Sequence, residues 1–296
     1  MSEETKPKLA FNFPKKRLAM LLYSMAGMGK SISIATLLKV PGIKVRLLAM
    51  EDNCLPAIEE GFAIHGITEL EEGQFTIAEI GGNAITTVET FANQTDDSVY
   101  QSAVMKLMNF QGTDVATGKD VRLGNALSWG NDTVLVIDGL TMLQFACASR
   151  GKVRAESNNT GKDPRAAFYA GQDALLGYIY QFMQRSKAHF VLLAHETSSD
   201  PEQLAKHKTL LATHPALGTR SIVSPFLGRF SVVLYAKYNK QTRQYVWSGE
   251  EPNTMTVMRN IKTKGLSYNG RQVTNSNLPA DFSFEGYNFF GDSTEK

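Results

Sequence analysis

A short apolar run, Arg17 to Tyr23 (RLAMLLY), passes directly into Ser24-Met25-Ala26-Gly27-Met28-Gly29-Lys30-Ser31. From there it enters Ser31-Ile32-Ser-Ile-Ala-Thr-Leu-Leu, a helix pattern that stops at Val40-Pro41-Gly42. No other stretch restricts the fold as much. An apolar run of this length reads as a buried strand, and a lysine-containing glycine turn between strand and helix is the context required by the phosphate-binding pattern G-x-x-x-x-G-K-[ST]. The glycines let backbone N–H groups wrap phosphates, and the helix N-terminus adds its positive end. Residues 24–32 are therefore the candidate nucleotide cradle: Ser24, Met25, Ala26, Gly27, Met28, Gly29, Lys30, Ser31 and Ile32. Lys30 is expected to reach the β- and γ-phosphates, and the Ser31 hydroxyl to ligate magnesium. The pattern departs from type at one place, Ser24, where its first glycine would stand.

A second acidic element supports this reading. Thr133-Val-Leu-Val-Ile-Asp138 is an apolar β-branched run ending in aspartate. Such a run reads as a buried parallel strand. Its terminal Asp138 is the candidate partner of the metal, on the sheet edge where open α/β sheets bind ligands. Further strands are expected at 43–50, 74–80, 190–194 and 255–262, with hairpins at 112–128 and 230–248. Helices are expected at 56–65, 97–110, 140–150 and 164–187. Alternating strands and helices with antiparallel strands late in the chain predict an α/β fold: a mostly parallel central sheet flanked by helices. The expected division is a loosely held tail over 1–15, one domain over 16–280 with 97–132 as an insertion, and an aromatic and acidic tail over 281–296.

Bulk properties exclude several classes. The 296 residues are 43% hydrophobic and 20% charged, which suits a globular chain with a core, and a net charge of +2 rules out a polycation. Nucleic-acid binding would need local patches. Two distant cysteines, Cys54 and Cys147, do not make a zinc site and read as reduced core thiols. No apolar run is long enough to span a bilayer, and Ser2-Glu-Glu-Thr-Lys reads as a solvated tail rather than a signal peptide. No membrane association and a cytoplasmic location are expected.

Beyond these motifs the chain resembles the RecA-like P-loop ATPases, over roughly residues 16–265. Glu51 follows the second strand with Pro56 five residues later. The resemblance makes Glu51 the residue that orients the attacking water, with Asp52 as its rival. Arg150-Gly-Lys-Val-Arg154 and the polar stretch to Arg165 stand where the family has its first DNA-binding loop. Arg150, Lys152, Arg154, Lys162 and Arg165 there outnumber Glu156 and Asp163. Phe190-Val-Leu-Leu-Ala-His195-Glu196 resembles the core strand whose last polar residue senses the γ-phosphate. His195 or Glu196 would fill that role, although the family more usually has an amide. Residues 197–220 would form the second DNA loop, with Lys206, Lys208 and Arg220 as contacts. Lys262 and Lys264, one apart on a late strand, match the cations that a neighbouring subunit lends to the γ-phosphate.

The small size is similar to the compact RecA-like ATPases of bacteriophages, which act in recombination by single-strand annealing. KaiC-like and helicase-core relatives share much of the pattern. The resemblance implies ATP and Mg²⁺ as ligands, single-stranded DNA and further copies of the chain as partners, and a single-strand-binding or replication protein as a further one. If the chain is phage-encoded, it would work in the host cytoplasm. Two rival functions are a DNA-annealing scaffold that binds ATP with little hydrolysis, and a loader or motor ATPase acting on a protein partner.

Overall fold

The structure is a computed structural model. It describes residues 17–51, 54–80, 97–158, 163–198, 213–216, 226–239 and 244–248, the short pieces 257–258, 267–268 and 271–272, and residue 284.

Strand β1, Ala19–Ser24, is buried along its whole length. It begins the sheet, with β2 at Lys44–Ala49, β3 at Phe75–Glu79, β4 at Phe110–Asp114, β5 at Asp120–Gly124 and β6 at Thr133–Asp138. Strands β7 (His189–Ser198), β8 (Thr213–Pro215), β9 (Val232–Asn239), β10 (Gln244–Ser248) and β11 (Val257–Met258) complete it. The spatial order is β10-β9-β1-β7-β6-β2-β3-β4-β5, with β8 beside β7 and β11 beside β9. From β9 to β3 every pairing is parallel. The antiparallel pairs along this order lie at its two ends, in β9–β10 and in the β3–β4–β5 run, and the off-path strands β8 and β11 pair antiparallel with β7 and β9. A separate two-stranded piece joins β12 (Ser267–Tyr268) to β13 (Arg271–Gln272). The expected α/β class, a mostly parallel sheet with late antiparallel strands, is the one found.

Strand alternation divides β1 between two apolar layers. Leu21 and Tyr23 join one cluster, with Leu140, Leu143, Leu175 and Phe182. Leu18, Met20 and Leu22 join the other, with Ile34, Leu37 and Ile58. Helices α4 (Leu140–Ser157) and α5 (Pro164–Arg185) therefore cover one face. The short α1 (Lys30–Ile34), its 3-10 continuation over Ala35–Lys39 and α2 (Cys54–His65) cover the other. Phe284 is fully buried in this second layer, and its N–H donates to Thr36 Oγ1 at 2.8 Å. Residues 97–132 contribute α3 (Ser98–Met108) and the β4–β5 hairpin, which continue the same sheet at one edge.

Polar side chains fix the lower rim. Arg17 donates to the carbonyls of Phe182, Met183 and Ser186, satisfying acceptors left open at the end of α5. His189 accepts from Leu18 N–H at Nδ1 and donates from Nε2 to Asn131 O, both at 3.0 Å. That tautomer follows from its partners, and it ties β1 and β7 to the turn before β6.

Two expected loops are corrected. The stretch from Arg150 to Arg165 is mostly helical: α4 continues to Ser157 and α5 starts at Pro164, with Asp163 capping Arg165 N–H. The physical reason is glycine. A Cβ on Gly151 would lie 2.2 Å from Ala167 O and 2.5 Å from Gly171 N, so only two glycines let the helix backbones approach this closely. A polar, glycine-bearing sequence that reads as loop is here a tightly packed helix pair. Likewise, β7 runs on to Ser198 and pairs with β8, so the segment expected to be the second loop from Thr197 begins and partly returns as strand.

Candidate nucleotide and metal site

Parallel pairing brings the carboxyl ends of four strands level. Ser24 is opposite His195, and Asp138 is opposite both Leu193 and Ala49. The strand bearing His195 lies between the loop strand and the aspartate strand. Residues far apart in the chain thus converge on one edge.

The loop leaves this edge between β1 and α1. Gly27 and Gly29 take φ values of +74° and +77°, a region that favours glycine, and Gly29 caps α1. Ser24, at the position of the missing first glycine, is instead the last residue of β1, in extended backbone that any residue adopts. Its hydroxyl accepts from Lys30 Nζ at 3.1 Å and donates to Met25 O at 3.0 Å. Lys30 Nζ also donates to Ser24 O at 3.2 Å and to Met25 O at 2.8 Å. Lys30 is 7% exposed. Burial lowers its pKa, and the charges of Asp138, Glu51 and Glu196 oppose that shift.

The two residues expected to hold a metal touch each other. Ser31 Oγ donates to Asp138 Oδ2 at 2.6 Å across 107 residues of sequence. Asp138 is 3% exposed, and burial raises its pKa; hydrogen bonds from Cys54 and Ser31 pull the other way. A hydroxyl and a carboxylate are hard oxygen donors of the kind magnesium takes, so these residues fit the ion. Among the described residues no group of three or more His, Cys, Asp or Glu could hold a metal by itself.

Glu51 and His195 also meet, with His195 Nε2 3.0 Å from Glu51 Oε2. A carboxylate only accepts, so Nε2 carries the proton. Both side chains stay partly open to solvent. Of the two candidates at the end of β7, His195 faces Glu51, while alternation sends Glu196 to the other face of the strand. Glu51 is confined from the other side by Gly139, whose φ is +119° and where a Cβ would lie 3.0 Å from Glu51 Cγ.

Gly139 belongs to this site but was not picked out from the sequence. The Asp138-Gly139 pair at a strand end was its signal, shared with any tight turn.

The basic residues expected to contact DNA divide. Arg150 forms an ion pair with Asp97, which is buried, and lies over the Tyr100 ring at 5.9 Å. Lys152, Arg154 and Arg165 are exposed on the α4–α5 pair. Asp52, Lys162, Lys206, Lys208, Arg220, Lys262 and Lys264 lie outside the described residues.

Fold and site define an α/β protein whose glycine loop, buried aspartate and glutamate–histidine pair share one edge of a mostly parallel sheet. No family model matches the chain, and no curated protein matches it. Among solved structures it is similar to a prototypical ATPase from the type III secretion system of pathogenic bacteria, at 10% identity and a TM-score of 0.35. The match covers 75% of this chain and 52% of that one, so the chain spans about half that protein's length. So low a score adds nothing to the fold read from the strand order. No helix among the described residues is long and apolar enough to cross a membrane.

Proposed function

We propose that this protein is a magnesium-dependent ATPase of RecA-like type that acts on single-stranded DNA in phage-type recombination or annealing. The observation that carries the nucleotide reading is the contact of Ser31 with Asp138 at the mouth of a loop holding Lys30, with Glu51 on the same edge. Magnesium, when bound, neutralises charge shared between the β- and γ-phosphates. The backbone of residues 24–29 and the start of α1 cradle the phosphates, and Lys30 donates to the β- and γ-oxygens. Ser31 and Asp138 present hydroxyl and carboxylate oxygens to the ion. Glu51 orients the attacking water and accepts its proton. His195 donates to Glu51 from Nε2 and sets the direction of the carboxylate.

The DNA reading rests on Lys152, Arg154 and Arg165, exposed on the α4–α5 pair beside the exposed Phe168 and Tyr169. Cations that meet phosphates next to rings that can stack on bases suit a single strand. Completion of the site by Lys262 and Lys264 of a neighbouring copy rests on the family resemblance, as does a single-strand-binding or replication protein as partner.

The test is ATP hydrolysis by purified protein with Mg²⁺, with and without single-stranded DNA, beside Lys30→Ala. Removing the ammonium costs charge-assisted hydrogen bonds worth about 2–3 kcal/mol, so nucleotide affinity should fall roughly a hundredfold. Stimulation by DNA that vanishes in the variant supports the proposal. Hydrolysis indifferent to DNA removes the DNA half of it, and the absence of Mg²⁺-dependent nucleotide binding removes all of it. Per-subunit activity that is unchanged on dilution would refute a site completed by a neighbour.

A further inference from the structure

The 97–132 segment does more than lengthen the sheet. Its helix α3 packs against α4 and α5, and a cavity of about 290 Å³ opens between the three. Tyr178 of α5 ties the walls together by donating from its hydroxyl to Ala103 O at 3.1 Å. Tyr100 of α3 lines the cavity, with the Arg150 guanidinium 5.9 Å from its ring centre and the Tyr178 ring at 6.5 Å. Arg154, Asp173 and Gln181 line it too and stand exposed, so they form its rim. One lining residue has no packing reason to be glycine. Gly151 and Gly171 lack side chains because the helix backbones meet there, but a Cβ on Gly177 would meet nothing within 4 Å beyond its own stretch of helix backbone. Glycine weakens a helix interior relative to alanine. The steric effect of Gly177, in the middle of α5, is to keep this cavity open.

We propose that this cavity takes one base of a single strand, whose neighbouring phosphates lie on the exposed cations of α4 and α5. The proposal deepens the DNA reading above and rests on it. Charge selects the occupant. Arg150 is paired with Asp97, and Arg154 shares the rim with Asp173, so the cavity itself is close to neutral and does not favour a phosphate. It suits a neutral planar ring: Tyr100 and Tyr178 offer aromatic contact, and Asp173, Gln181 and Arg154 can meet the polar edge of a base. Ligand pockets commonly span roughly 300–1,000 Å³, so a cavity at the small end of that range holds one ring system rather than a longer ligand. The way in is marked on the surface. Tyr169, Asp173, Gly177 and Gln181 recur every fourth residue along one face of α5, which puts the exposed Tyr169 ring one turn beyond the rim. Lys152 and Arg165 are exposed on the same helix pair. A ring outside, a ring-sized cavity behind it and cations beside both are the parts that hold a single strand through its bases as well as its backbone.

The test measures the affinity of the full chain for two fluorescein-labelled strands of equal length at one salt concentration: oligo(dC), and a strand of abasic residues that keeps every phosphate. Wild type should bind oligo(dC) more tightly. Gly177→Leu, which fills the cavity without removing a charge, should weaken oligo(dC) binding about tenfold, the effect of losing one stacked base. Its binding to the abasic strand should stay within about twofold of wild type, whereas Arg165→Ala should weaken both strands alike. If Gly177→Leu lowers the melting temperature, Tyr100→Leu decides in its place: it removes a ring from the α3 wall, keeps apolar bulk, and should show the same selective loss. The proposal is overturned if wild type binds both strands equally, or if the deciding variant binds oligo(dC) as wild type does or loses both strands equally. Loss of self-association with strand binding intact would give the cavity to a protein partner and overturn it too. Wild type that binds neither strand would instead refute the underlying DNA reading.

Discussion

Gly139→Ala offers a way to separate nucleotide binding from hydrolysis. At φ +119° the position lies outside the wells that L-residues occupy, so alanine costs about 1–3 kcal/mol of backbone strain. The added Cβ would meet Glu51 Cγ and Met50 Cβ, each at 3.0 Å. Each neighbour must then give by a few tenths of an ångström. Glu51 yields more readily, because its side chain is partly exposed whereas Met50 is buried. A misplacement of about 1 Å can cost 10²-fold in rate, so a shift of roughly half that should lower kcat about tenfold, or ~1.4 kcal/mol of barrier. Lys30 and Ser31 are untouched, so the affinity for Mg-ATP should stay within about twofold. The assay is steady-state hydrolysis beside equilibrium binding of a fluorescent ATP analogue. Equal losses in both would refute the reasoning, because the damage would then have spread through the loop. Unchanged hydrolysis would refute it too, by showing that the place of Glu51 does not matter.

The remaining predictions concern stability. Arg17→Ala should lower the melting temperature by several degrees. It leaves three carbonyls at the end of α5 without their charged donor, a loss of about 2 kcal/mol, and scanning calorimetry measures it. Lys44→Ala should matter far less. Its pair with Asp132, 2.9 Å long, has both side chains close to half exposed, so about 0.5 kcal/mol at neutral pH is expected after solvent screening. The hydrogen bond from Lys44 depresses the Asp132 pKa, so this contribution is present above the ordinary carboxylate range and is lost as pH falls below about 4. Melting curves of wild type and variant should accordingly converge at acid pH. A gap that widens there would contradict the sign.

The local elements were legible in the sequence because each carries its own signature. The β1 run and the glycine turn before Lys30 have one solution, strand into helix, since Gly27 and Gly29 are needed at positive φ and Ser31 opens a helical pattern. The β6 run ending in Asp138 is equally plain, as its mostly β-branched residues are buried on both faces. The expected bounds were blurred where polarity misled. Lys152, Arg154 and Glu156 look like loop, yet they lie on α4, because the burial that makes them helical comes from Gly151 meeting Gly171 twenty residues away.

What the chain alone determined was therefore the inventory: a phosphate-type loop, an acid at the end of a buried strand, an acid after β2 and a histidine after the apolar run of β7. What only the tertiary structure decided was who touches whom. Sheet order is a property of long-range pairing, and no local pattern says that the strand of His195 lies between β1 and β6. That order sets His195 against Glu51 and Ser31 against Asp138, and parallel register brings their strands' ends level. Arg150 is held in an ion pair because Asp97, from a segment read as an insertion, folds back onto it. Gly139 matters through a distance of a few ångströms to Glu51, and distances between residues remote in sequence exist only once the chain has packed.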